Sequence, residues 1–164
     1  MDDTLTTPIQ KSHKRKISAV IALIVAAALS FGYVVLAGIL LIRAAELGQS
    51  DSVKRLLQMG ASVNAVDPEL RSTPLIAASE NGHNDVVLIL LSQGANANQQ
   101  DAHGDTALML ASANGYMPVV QSLINHGANP EMKNQDGETT LDLAKQGNYA
   151  DIVAYLNRHR YRRE

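Results

Sequence analysis

The chain contains no cysteine and no tryptophan, a single phenylalanine, and a net charge of only −2 over 164 residues. Without cysteine there is no disulfide framework, no thiolate zinc site and no cysteine nucleophile, although the absence suits a reducing or an oxidising compartment equally. The near-neutral balance lacks the basic excess by which nucleic-acid binding normally shows itself. No GxGxxG, P-loop, Gly-x-Ser-x-Gly or HExxH pattern occurs, so the common phosphate-cradling and hydrolytic sites have no footing. With six aromatics, one Phe and five Tyr, the core must be built from Leu, Ile, Val and Ala, which suits closely approaching helices. At 46% hydrophobic residues the chain holds enough apolar surface to fold.

That apolar content is unevenly placed. From Ile17 to Ile42, 26 consecutive residues carry no charge, and only Ser18, Ser30, Gly32 and Gly38 interrupt the hydrophobic run. As a helix this run spans roughly 39 Å against a hydrocarbon core of about 30 Å. Lys11, Lys14, Arg15 and Lys16 precede it, whereas Arg43, Lys54 and Arg55 after it are diluted by Glu46 and Asp51. Positive charge stays on the cytoplasmic side, so residues 1–16 read as a basic cytoplasmic tail and 17–39 as a single transmembrane signal-anchor. The rest then lies outside the cytoplasm. A cleaved secretory signal ending near Ala37 is the alternative, although signal cores usually run about 7–15 residues. A buried soluble helix fits less well, because one face should then be polar.

The remainder repeats. Thr73-Pro74-Leu75-Ile76-Ala77-Ala78, Thr106-Ala107-Leu108-Met109-Leu110-Ala111 and Thr139-Thr140-Leu141-Asp142-Leu143-Ala144 recur at a period of 33. Gly82 and Gly115 follow nine residues after the first two threonines, and second apolar runs end in Gly94-Ala95 and Gly127-Ala128. A fainter copy occupies 41–65. Each Thr is placed to open a short helix, Gly82 or Gly115 to turn the chain, and Gly94 or Gly127 to end the second helix in a left-handed conformation. Val86, Val87, Leu90 and Leu91, like Val119, Val120, Leu123 and Ile124, form a helical stripe that one unit cannot bury alone.

These residues resemble the ankyrin repeat, whose signature joins Thr-Pro-Leu-His-x-Ala to a turn glycine, a Leu-Leu pair and a Gly-Ala end. The resemblance implies an all-α ankyrin-repeat solenoid of about four helix-turn-helix units with hairpin loops, preceded by one transmembrane helix. The domain is expected over 40–157, with units of about 40–66, 67–100, 101–133 and 134–157 and a basic tail at 158–164. Ile76, Met109 and Asp142 stand where the signature has His, which predicts a lost side-chain hydrogen bond at each helix start. The connection from Asp67 to Thr73 is one residue longer than that from Asp101 to Thr106 and carries Pro68, so an enlarged tip is expected there. The tail RHRYRR reads as a fraying helix end, with contact to anionic headgroups as the alternative.

Function in this family lies in binding surfaces, not in the fold itself. Carried over by motif, the partner-facing hairpin residues are Glu69, Leu70 and Arg71, then Ala102, His103 and Asp105, then Gln135, Asp136 and Glu138. The matching first-helix residues are Glu80, Asn81, Ala113, Asn114 and Gln146. Residues 43–157 carry 6 basic and 13 acidic side chains, and none of Lys or Arg lies between Arg71 and Lys133. A partner with a neutral or basic contact face is expected and nucleic acid is repelled, although an acidic surface kept for solubility reads equally well. His83, His126 and the Asp101-His103-Asp105 cluster offer acid/base or metal-ligating groups, but Asp-x-x-Gly-x-Thr is also what a hairpin turn needs. No cofactor, metal or catalysis is expected. The whole resembles bacterial envelope proteins anchored in the inner membrane and facing the periplasm. It implies a partner-binding module, with a soluble secreted binder or a structural tether of a membrane complex as alternatives.

Overall fold

The computed structural model describes residue 32 and residues 34–160, so most of the expected membrane segment and the end of the basic tail lie outside the described residues. The chain divides into two compact units, 1–36 and 37–164. Of the smaller unit, residues 32 and 34–36 are helical and exposed. Among the described residues no helix is long and apolar enough to cross a membrane.

The larger unit is a stack of helix pairs. Helix α1 runs through 37–46, followed by α2 Ser50–Gln58, α3 Pro74–Glu80, α4 Asn84–Ser92, α5 Ala107–Ala113, α6 Met117–Asn125, α7 Thr140–Gln146 and α8 Ala150–Arg160. Helices α3, α5 and α7 pack side by side in one row, α2, α4, α6 and α8 in a second, and α3/α4, α5/α6 and α7/α8 join the rows. The only bridge of strand type among the described residues is the antiparallel pair Gln100 with Thr106, at the stem of a hairpin. The helix continues through Gly38. A Cβ at Gly38 would lie 2.9 Å from that of Ala65, and the glycine's role is close approach to its own unit's loop.

Local chemistry explains where each first helix begins. Thr73, Thr106 and Thr139 sit in extended conformation and accept hydrogen bonds from the amides of Ile76 (3.2 Å), Met109 (3.3 Å) and Asp142 (3.4 Å). Such caps satisfy a donor that the helix leaves orphaned. The expected loss of the reciprocal bond is corrected in two of three units. The Thr139 amide and hydroxyl donate to Asp142 Oδ2 at 3.0 and 2.6 Å, and the Thr106 amide reaches Met109 Sδ at 3.4 Å. A carboxylate replaces the missing imidazole well and a thioether weakly, while Ile76 supplies nothing.

The stripes seen in the sequence are the core. Val86, Val87, Leu90, Val119, Val120 and Leu123 are fully buried, with Leu41, Ala45 and Val53 in the first pair and Ile152 and Leu156 in the last. Pairs are also locked where they turn. The His83 ring lies against Gly48, the Tyr116 ring against Gly82 and the Tyr149 ring against Gly115. At Gly82 and Gly115 the backbone is left-handed, φ +73° and +79°, and a Cβ at Gly82 would come within 2.7 Å of Tyr116. In the last pair the left-handed residue is Asn148, φ +58°, not Gly147. Gly147 instead makes room for the other edge of Tyr149. On the opposite loops, the amides of Asn96 and Asn129 donate to Asn64 Oδ1 (2.8 Å) and Asn98 Oδ1 (2.7 Å) of the preceding unit.

Two outcomes follow. Gly115 and Gly127 are both left-handed, but only Gly115 faces a ring, since nothing lies within 4 Å of a Cβ at Gly127. Gly127→Ala should cost about 1–2 kcal/mol and Gly115→Ala roughly 1–3 kcal/mol more in urea unfolding; equal losses would show that the ring contact contributes nothing. Second, hydrogen bonds from the Thr139 hydroxyl and amide hold the Asp142 carboxyl below the ordinary aspartate range, and one from the Ser50 hydroxyl does the same for Asp85. A depressed folded-state pKa stabilises above the unfolded value of about 3.9 and is lost as pH falls through the folded value. The double variant Asp85→Asn/Asp142→Asn should therefore lose less stability than the parent on going from pH 6 to below about pH 4, read from urea midpoints; identical acid slopes would contradict this origin.

Candidate functional site

The hairpin tips form one continuous edge, and the physical reason is a repeated pin. Asp67 Oδ1 accepts from the amides of Glu69 (2.9 Å) and Leu70 (2.7 Å), Asp101 Oδ1 from His103 (2.8 Å) and Asp105 (2.9 Å), and Asn134 Oδ1 from Asp136 (3.1 Å) and Glu138 (2.9 Å). A side-chain oxygen that replaces backbone acceptors is what fixes such a turn. The Asp101 carboxylate is thus occupied in shaping its own loop. His83 donates from Nε2 to the Glu46 carbonyl (3.0 Å), and His126 from Nδ1 to that of Ser122 (2.8 Å). Among the described residues no group of three His, Asp or Glu is placed to hold a metal.

The tips are then zipped to one another. The Ala102 amide donates to the Leu70 carbonyl (2.9 Å), and the Gln135 amide to that of His103 (3.0 Å). Gln135 Nε2 reaches the Ala102 carbonyl at 2.7 Å, and Asn134 Nδ2 reaches Asp105 Oδ1 at 2.9 Å. The first tip is enlarged as its extra residue requires: the Arg71 amide bonds back to the Asp67 carbonyl (2.9 Å) with Arg71 itself left-handed, φ +53°. A non-glycine residue in that region is uncommon and costs energy, and Arg71 is exposed there.

The fourteen candidate residues separate into two kinds. Asp105, Gln135, Glu138 and Gln146 spend their side chains inside the edge, Glu138 accepting from Gln146 Nε2. Asn81 Nδ2 bonds to the Ala77 carbonyl (2.9 Å) at the end of α3, and Asn114 Nδ2 bridges to the Glu80 carbonyl (3.1 Å) of the preceding unit. Ala102 and Ala113 are half-buried. Glu69, Leu70, Arg71, Glu80, His103 and Asp136 are exposed, and among the described residues their side chains make no hydrogen bond or ion pair. Leu70, 60% exposed, is the one large apolar side chain at the tips.

Sequence reasoning passed over Lys133. It shares a polar cavity of about 420 Å³ with Arg71, Gln99, Gln100 and Asn134 between the hairpin stems. The signal was present: these are the two cations bounding the stretch without Lys or Arg, and the stacking of hairpins folds them into one place.

The family model for ankyrin repeats in three copies matches residues 41–134 and 75–162. Compared with the curated proteins, the chain has no significant match. If the pin on the tip is what presents the exposed residues, Asp101→Ala should speed hydrogen exchange at the His103 and Asp105 amides, with Asp101→Asn close to the parent because Asn134 fills the same role one unit on. Unchanged exchange in Asp101→Ala would remove the pin from the account.

Proposed function

Because the chain belongs to the ankyrin-repeat family, we propose that it is a membrane-anchored module that binds a partner protein outside the cytoplasm through its hairpin edge and first helices. Proteins of this family are typically non-catalytic binding modules. The observation that carries the reading is the zipped edge: a backbone fixed by pins and cross-bonds offering six exposed side chains. A pre-ordered surface loses little conformational entropy on binding. Glu69, Glu80 and Asp136 outnumber Arg71 among the exposed charges, which favours a neutral or basic contact face and disfavours nucleic acid. Leu70 offers the apolar contact around which such charges gain strength.

The anchor is argued from sequence. The uncharged run 17–42 is long enough to span, four permanent cations precede it, and the positive-inside rule puts residues 1–16 in the cytoplasm and the repeats outside it. A bacterial inner membrane with the repeats in the periplasm is the setting that fits. Cleavage near Ala37 is the second reading, and Ala37 itself argues against it: it is buried in the core of the stack, as part of helix α1.

Alanine at Glu69, Leu70, His103 and Asp136 leaves every bond within the edge intact. Pull-down of this variant from membranes should recover the partner at least about tenfold less than the parent, the scale of 1.4 kcal/mol, with unchanged circular dichroism. Equal recovery would instead favour a tether acting through the spanning segment. In the same cells, a reporter that fluoresces only in the cytoplasm, fused after Glu164, should stay dark; a bright signal overturns the orientation.

A further inference from the structure

The two ends of the stack are unlike. A solenoid's terminal units need a polar outer face, because no neighbour covers them. The last pair meets this: α7 and α8 contribute no large apolar side chain to the exposed set, and Lys145, Gln146, Asp151, Asn157 and Arg158 are exposed there. The first pair does not. Leu40, Leu47 and Met59 are 48%, 51% and 59% exposed. With Leu56 they line a groove of about 340 Å³ on α1 and α2, which also takes in Arg43 and Arg55 and no carboxylate.

We propose that this open end is a lipid-binding face, with the leucines and Met59 at the boundary of acyl chains and headgroups and the two arginines on anionic phosphates. The proposal rests on the anchoring reading above, and chain continuity makes its case. Ala37 and Gly38 pack inside the stack, so with the span ending at residue 36 Leu40 follows four residues on, and at about 1.5 Å per helical residue Leu47 lies within roughly 17 Å of the bilayer core. No linker intervenes, so this end of the stack stays at the interface, where an amphipathic face settles about 5–10 Å into the headgroup region.

Charge selects the occupant. Residues 43–157 are acidic overall, yet the groove carries two guanidinium groups. Arg43 shares one with Glu46 at 2.8 Å, and Arg55 has no ion pair among the described residues. Long cationic side chains lay their stems on apolar surface and extend the charge to phosphate. A second copy docked on the same face would set arginine against arginine, which disfavours a dimer through this groove.

The lack of native cysteine makes the test direct. Leu47→Cys, Met59→Cys and, as a reference on the polar end, Ala154→Cys are labelled with an environment-sensitive fluorophore in the full chain. They are reconstituted in vesicles of phosphatidylethanolamine with phosphatidylglycerol, or of phosphatidylcholine alone, each carrying a headgroup nitroxide quencher. Labels at 47 and 59 should be quenched several-fold more than the label at 154, more so in the anionic vesicles, and Arg43→Gln/Arg55→Gln should abolish that difference between lipids. Labels at 47 and 59 as water-exposed as the one at 154, in protein that survives an alkaline carbonate wash, would overturn the lipid face and leave the anchor standing. Loss of the protein in the wash would overturn the anchor, and the lipid face with it. Shielding in detergent together with cross-linking between copies would assign the groove to a second copy and overturn the proposal.

Discussion

No helix pair in this chain can bury its own apolar stripe, and each is therefore stable only against a neighbour. The contact that makes stacking possible is short in reach: a ring from one unit lies on a glycine of the unit before it, His83 on Gly48, Tyr116 on Gly82, Tyr149 on Gly115. A side chain at any of those glycines would push the rings away and open the valine and leucine stripes behind them. The hairpins on one side and the Asn64/Asn96 and Asn98/Asn129 loop bonds on the other hold the same spacing. The zipped edge is thus a consequence of core packing: tips meet because helices do, and the pins at Asp67, Asp101 and Asn134 keep each tip in register with the next.

Much of this was legible because it repeats. A period of 33 with glycines and threonines in fixed places specifies helix starts, turns and the buried stripe, and these are the features that backbone sterics and burial control directly. What was not legible depended on chemistry between units. The lost imidazole bond was expected in every unit, yet Asp142 and Met109 each offer an acceptor of another kind. His83 drew attention as an ionisable group, while its task is to fill the space over Gly48 with a ring. In the last unit Asn148 took over the left-handed turn from Gly147, which only the placement of Tyr149 explains.

The candidate binding residues divide on the same principle. Motif position identifies residues near the edge but does not say which side chains the edge itself consumes. Gln135, Asp105 and Glu138 stand at partner-facing positions in the pattern and are bonded to adjacent elements; Glu69, Leu70, Arg71, Glu80, His103 and Asp136 are not. A hot spot is usually a desolvated side chain surrounded by near-neutral contacts, and the bonded residues suit the surrounding role. Lys133 was missed for a related reason: it lines the same cavity as Arg71 from the next unit, a proximity that no local window of sequence contains.

Cancellation of charge also acquires a spatial meaning. The net −2 joins a basic start, an acidic stack and a basic end, and the stack itself is not uniformly acidic. Four of its six cations share two places: Arg71 with Lys133 between hairpin stems, and Arg43 with Arg55 on the open end. The second place is also where Leu40, Leu47 and Met59 are exposed together, and it follows directly on the long uncharged run. An anionic surface attracts the guanidinium groups of that end and repels the stretch between Arg71 and Lys133, which carries no Lys or Arg.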